Sequence, residues 1–130
     1  MPEYMLLLYT PEVDETEREP ADRWADMPLW QEVTESLRKA GILVANGPLH
    51  AAASATTVRV RGGETELTDG PFAVTKEVLA GYYLLNCADL DEALHHASRM
   101  PTALVGSVEV RPMVDVSEIP APGQAPVSRP

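Results

Sequence analysis

Cysteine is almost missing from this 130-residue chain, Cys87 being the single example, so no disulfide can close within one copy and no thiol-rich zinc site or redox pair can be built. A reducing compartment fits that usage. Aromatic residues make up only 5% of the chain, against 45% for all hydrophobic types, so aliphatic side chains and alanine must fill most of the core. Basic residues are also short, 10 against 20 acidic ones, and they do not cluster; the formal charge of -10 repels phosphate backbones and anionic lipid alike. Nucleic acid is not an expected partner. The chain shows no Gly-rich phosphate loop, no serine-nucleophile motif and no metal-ligand spacing, which argues against nucleotide-dependent, hydrolase and zinc chemistry. No cofactor is expected. The apolar run from Tyr4 to Tyr9 is too short for a signal or a membrane span, so a cytoplasmic protein without membrane contact is expected.

What is present reads as one α+β domain over residues 1–116, followed by a Pro-rich tail over 117–130 that cannot form a core. Tyr4 to Tyr9 predicts a strand covered on both faces or one at the centre of a sheet, and the acidic stretch from Glu12 to Asp22 predicts a surface loop. From Trp24 onward, Met27, Trp30, Val33, Leu37 and Ala40 recur three or four apart, the stripe of an amphipathic helix with Pro28 in its first turn and Gly41 at its end. Ile42 to Ala45 predicts a short strand, and Asn46-Gly47-Pro48 a turn or bulge leading to Leu49 and His50. Thr57 to Arg61 and Glu64 to Thr68 alternate about Gly62-Gly63, a hairpin signal with Val58, Val60 and Leu67 expected inward and Arg59 and Arg61 facing Glu64 and Glu66. Leu79 to Leu85 predicts a central strand. Asp89 predicts the cap of a second helix with Leu90, Ala93, Leu94 and Ala97 inward, His95 and His96 outward and Met100-Pro101 as its stop. The run from Gly106 to Arg111 predicts the last strand.

The densest chemistry lies in Thr68-Asp69-Gly70-Pro71-Phe72-Ala73-Val74-Thr75-Lys76-Glu77, where Gly70 and Pro71 force a sharp bend that holds the Asp69 carboxylate at a strand end. Asp69 either caps that turn through backbone N–H groups or acts on a substrate. A carboxylate beside an imidazole can move protons in elimination or isomerisation, which makes Asp69 and His50 the candidate catalytic pair. Phe72, Tyr82, Tyr83, Trp30 and Lys76 are the candidate ligand-binding residues, although Trp30 and Lys76 also have ordinary roles, in a helix core and in an ion pair with Glu77. Adjacent histidines on a helix diverge by about 100° and cannot easily share a metal, so no metal site is expected at His95 and His96.

The order strand, helix, strand, hairpin, strand, helix, strand is an elaborated ferredoxin-like plan, an antiparallel sheet with two helices on one face and the other face in need of cover. Several separated blocks, among them Ala40-Gly41-Ile42-Leu43, Ala55-Thr56-Thr57-Val58-Arg59, Thr68-Asp69-Gly70-Pro71-Phe72, Gly81-Tyr82-Tyr83 and Val108-Glu109-Val110-Arg111-Pro112, occur in the order found in YCII-related proteins of the Asp-Gly-Pro-Phe subgroup. The chain resembles that subgroup over residues 4–113. The resemblance implies a homodimer forming a dimeric α+β barrel, a cytoplasmic bacterial setting, and in some relatives a cofactor-free lyase or related activity on small ring compounds. Genes of the subgroup often lie beside those of extracytoplasmic-function sigma factors, which implies a non-enzymatic, regulatory alternative. The enzyme-like branch carries a His-Asp pair, and alignment on Gly41 and Pro101 puts Trp30 and Met100 at those places, so any activity here must use other groups.

Overall fold

Two strands with apolar residues on both faces form the middle of the molecule, because a strand hydrophobic on both sides is stable only between two layers or beneath a partner. The computed structural model describes residues 1–12, 19 and 24–123. Most of the acidic Glu12 to Asp22 segment and the tail beyond Gly123 lie outside the described residues. Strand β1 (Glu3–Pro11) and strand β5 (Glu77–Asn86) pair antiparallel at the centre. Strand β2 (Leu43–Pro48) flanks β5 and strand β6 (Ser107–Pro112) flanks β1, giving a four-stranded antiparallel sheet in the order β2-β5-β1-β6. That order is compatible with a ferredoxin-like fold.

Tyr4, Leu6 and Leu8 alternate on one face of β1, and Tyr83 and Leu85 continue that face on β5; all five are buried. Helix α1 (Met27–Lys39) places Leu37 against this layer, and helix α2 (Leu90–Ser98) places Ala93 and Ala97 there. One core therefore lies between two helices and one face of the sheet. The other face carries Met5, Leu7, Tyr82 and Leu84, half-buried at most and covered by no helix.

Helix α1 begins at Met27 rather than at Trp24, with Pro28 in its first turn, where a missing N–H is harmless. It ends in basic Arg38 and Lys39, which suit the negative end of the helix dipole, and Gly41 follows at φ 74°. Helix α2 starts as expected at Asp89, whose carboxylate accepts from the Glu92 N–H at 2.9 Å while Glu92 Oε2 accepts from the Ala88 N–H at 3.0 Å. Met100, expected only to end the helix, is buried, and a short helix α3 (Thr102–Val105) that the sequence did not announce follows it. Leu90 and Leu94 correct the inward reading, since both are about half exposed; alanine at 93 and 97 lets the helix approach the sheet closely and leaves the longer side chains at the edge.

His96, read as outward, is partly buried, and burial is the main reason its pKa is lowered, with Arg99 and His95 adding to the effect against Glu92. Arg99 Nη1 lies 3.2 Å from His96 Nδ1, and its Nη2 donates to Ser36 Oγ at 2.8 Å, tying α2 to α1. Cys87 is fully buried, and burial, followed by Glu92 and Asp89, pushes its thiol pKa up, the setting of an inert thiol.

Asn46-Gly47-Pro48 is strand rather than turn. The chain stays in register against Tyr83, Tyr82 and Gly81, after an irregularity between Leu43 and Ala45, and the Leu49 N–H donates to Ala80 O at 2.8 Å. Gly47 is small where the Tyr82 ring crosses it, an added Cβ falling 3.2 Å from Tyr82 Cε1. Strands β3 (Thr56–Arg61) and β4 (Glu64–Asp69) form the expected hairpin, in which Arg59 faces Glu66 and Arg61 faces Glu64. Its apolar side corrects the inward reading: Val58, Val60 and Leu67 are 60%, 58% and 69% exposed, because among the described residues no helix or further strand packs closely across them. Among the described residues no helix is long and apolar enough to cross a membrane.

Candidate functional site

A cavity of about 1220 Å³ opens between α1, the β2 and β5 side of the sheet, and the segment from Pro48 to Ser54. Leu8, Gly81 and Tyr83 form its sheet side; Trp30, Gln31, Thr34 and Arg38 look in from successive turns of α1. Pro48 to Ser54 ends in a 3₁₀ turn (Ala52–Ser54), and Ser54 Oγ donates to Ala51 O at 2.7 Å, which closes that turn. The alanine-rich stretch from Ala51 to Ser54 is thus a cavity wall of small side chains.

Helical spacing puts Trp30 and Thr34 on one face of α1, one turn apart. The Trp30 and Tyr83 rings are stacked, centroids 6.1 Å apart with 19° between planes, and Thr34 Oγ1 lies 2.6 Å from Tyr83 Oη in a hydrogen bond. Trp30 Nε1 donates to Asp26 Oδ2 at 3.1 Å. These bonds fix the ring plane that the cavity offers. The Thr102 side chain, on α3 and only 4% exposed, also lines the cavity, and its Oγ1 has no hydrogen-bond partner. A buried hydroxyl without a partner costs about 1–3 kcal/mol, and this oxygen is sealed from the cavity as well as from water.

His50, Trp30 and Tyr83 therefore meet at this cavity, and Asp69, Phe72, Tyr82 and Lys76 are not among its lining residues. Asp69 sits at the end of β4 opposite Thr56, exposed, and does not converge there with His50. The bend after it is held by backbone groups: Gly70, at φ 95°, donates its N–H to Ala55 O at 2.7 Å, and Thr57 Oγ1 donates to Gly70 O at 2.9 Å. Phe72 is 79% exposed. The Lys76 carbonyl accepts from the Glu12 N–H at 3.3 Å, while the Glu77 carboxylate accepts from Ser107 Oγ at 2.6 Å. Tyr82 points from the sheet face opposite to Tyr83, since neighbours along a strand alternate. Sequence reasoning missed Thr34 and Thr102. The first was findable as the residue four after Trp30; the second depends on α3, which no local signal announced.

The chain matches the model of the YCII-related domain over residues 3–117. It is also 48% identical over 75 residues to an uncharacterised protein of Rhizobium meliloti (strain 1021), a stretch that covers 56% of this chain and 57% of that relative. With the match extending across all six strands and the three α-helices, the chain belongs to the YCII-related family.

Proposed function

We propose that this YCII-related protein binds a small, partly planar organic molecule in the cavity between α1 and the sheet. The stacked Trp30 and Tyr83 rings on the cavity wall are the observation that carries this reading. A flat apolar surface with a few fixed polar groups is the usual form of a small-molecule site: the rings supply contact area and the hydroxyls select orientation. His50, exposed at the cavity, is the group placed to exchange a proton with such a ligand, and the Tyr83–Thr34 hydroxyl pair offers a donor or acceptor near the ring plane. The chemistry proposed is a cofactor-free elimination or isomerisation. Asp69 joins it only if a second copy supplies the carboxylate, because Asp69 is not part of its own chain's cavity. The setting proposed is a cytoplasmic homodimer of the Asp-Gly-Pro-Phe subgroup, joined through the uncovered sheet face into a dimeric α+β barrel.

The second reading is an interaction protein in extracytoplasmic-function sigma-factor signalling. It is favoured by the exposure of Phe72 and Val74, apolar side chains of the loop after Gly70 that are 79% and 93% exposed.

Isothermal titration with a panel of monocyclic phenols and their keto analogues separates the two. Thr102→Val removes the orphan hydroxyl at nearly constant volume and is expected to raise the stability of the free protein by about 1 kcal/mol. Trp30→Ala is expected to abolish phenol binding. A panel with no binder, or a Trp30→Ala protein that binds as tightly as the parent, contradicts the ligand reading.

A further inference from the structure

We propose that the β3–β4 hairpin is a docking arm that packs its apolar side on a second copy of this chain, an inference that rests on the homodimer reading above. Hairpin residues alternate cleanly, with Val58, Val60, Thr65 and Leu67 on one side and Arg59, Arg61, Glu64 and Glu66 on the other. The apolar side is more than half exposed at all three aliphatic positions. The two strands bond to each other and belong to no larger sheet. A lone two-stranded hairpin is at best marginally stable in water and needs a third element against its apolar side. Among the described residues no helix or further strand packs closely on it.

Size and charge indicate the occupant. Four strands about 4.8 Å apart, of 9, 6, 10 and 6 residues at about 3.3 Å each, give the open sheet face a projected area of roughly 500 Å². Two such faces bury roughly 1,000 Å² together, short of the roughly 1,200 Å² at which specific interfaces start. The apolar side of one hairpin adds roughly 200 Å² per copy by the same spacing, which brings a symmetric pair past that threshold. The sheet face alone is too small, and the arm makes up the difference.

A chain of formal charge -10 also repels its own copy, so a contact between copies must avoid the acidic surface. Arg59, Arg61, Glu64 and Glu66 cancel one another along the polar side, leaving Asp69 at the root as the arm's one uncompensated charge, little for a like-charged neighbour to repel. An arm so nearly neutral has little to select a strongly basic or acidic protein. In an isologous pair the same patch serves both copies, so each arm is covered by the same symmetry that covers each sheet.

The hairpin root adjoins the cavity. Ala55, whose carbonyl accepts from the Gly70 N–H, directly follows the 3₁₀ turn that forms one cavity wall. Holding the arm against a second copy therefore steadies the wall that carries Ser54.

Sedimentation equilibrium of the full chain tests the arm with two double substitutions that leave the net charge unchanged. Val58→Ser/Leu67→Ser strips the apolar side, and Arg59→Ser/Glu66→Ser strips a facing pair from the polar side. All four positions are exposed, so both variants are expected to keep the parent's circular dichroism. The parent is expected to dimerise, the first variant to dissociate at least 30-fold more readily, and the second to stay within about threefold of the parent. A first variant that dimerises as tightly as the parent overturns the arm and leaves a dimer formed by the sheet face. Equal weakening by both variants overturns the assignment of the apolar side. A parent that stays monomeric at millimolar concentration, or that assembles only with a different protein, overturns the arm together with the homodimer on which it rests.

Discussion

Gly106→Ala is expected to cost at least about 3 kcal/mol of folding stability, the upper part of the range for overpacking a close contact. A Cβ at this position would stand 2.1 Å from Tyr9 O and 3.0 Å from both Thr10 Cα and Tyr9 C. All three atoms are backbone, so no side-chain rotation can make room. Strand β1 or the start of β6 has to move, and the pairs Tyr9 with Ser107 and Leu8 with Val108 lie next to the contact. Leu8 is also core, so the displacement reaches the layer beneath the helices. With total stability of a domain this size near 5–15 kcal/mol, such a loss is a large share of the whole. Urea denaturation followed by circular dichroism measures it; a loss below about 1 kcal/mol would show that the approach of β1 and Gly106 is looser than the geometry here.

Leu6→Ala is expected to cost about 2–5 kcal/mol, and Leu7→Ala clearly less in the isolated subunit. Leu6 is fully buried between Tyr83 and Val110, on the sheet face that both helices cover. Leu7 lies next to it in sequence and on the opposite face, with no helix above it. Deleting Leu6 removes its transfer energy and leaves a hole that rigid neighbours fill only in part. The check is the urea midpoint of each variant at a concentration where the protein is monomeric, with an unchanged slope. Equal costs at 6 and 7 would mean that the two faces are equally covered within one subunit.

The same alternation explains how much of the fold was readable from residue types. The continuous apolar run of β1 announced a strand covered on both faces or one at the centre of a sheet, and the structure puts it at the centre, with one helix-covered face and one open face. Periodicity reports that a side chain avoids water without saying what will shield it. Hence Val58, Val60 and Leu67 were read as inward, although all three are more than half exposed. Asn46-Gly47-Pro48 has the composition of a turn, and pairing with β5 overrode it because Gly47 leaves room for the Tyr82 ring.

The site was legible in part for similar reasons. Trp30 and His50 were found as residue types that suit a pocket, and both line the cavity. Tyr82-Tyr83 was read as a pair, yet strand geometry sends the two rings to opposite faces and only Tyr83 reaches the cavity. The Gly70-Pro71 bend is real, but it is held by the Ala55 carbonyl and the Thr57 hydroxyl, contacts across the hairpin that no local reading of Asp69 could supply. Thr102 stayed invisible because its burial depends on a four-residue helix packed beneath Met100.

Crystals soaked in the monocyclic phenols of the titration panel test the cavity most directly. The account predicts that a bound ring lies against Trp30 and Tyr83 with its oxygen within hydrogen-bonding distance of the Tyr83–Thr34 hydroxyl pair. A ring found only beside Phe72 and Asp69, with the Trp30 cavity empty at saturating concentration, would contradict it.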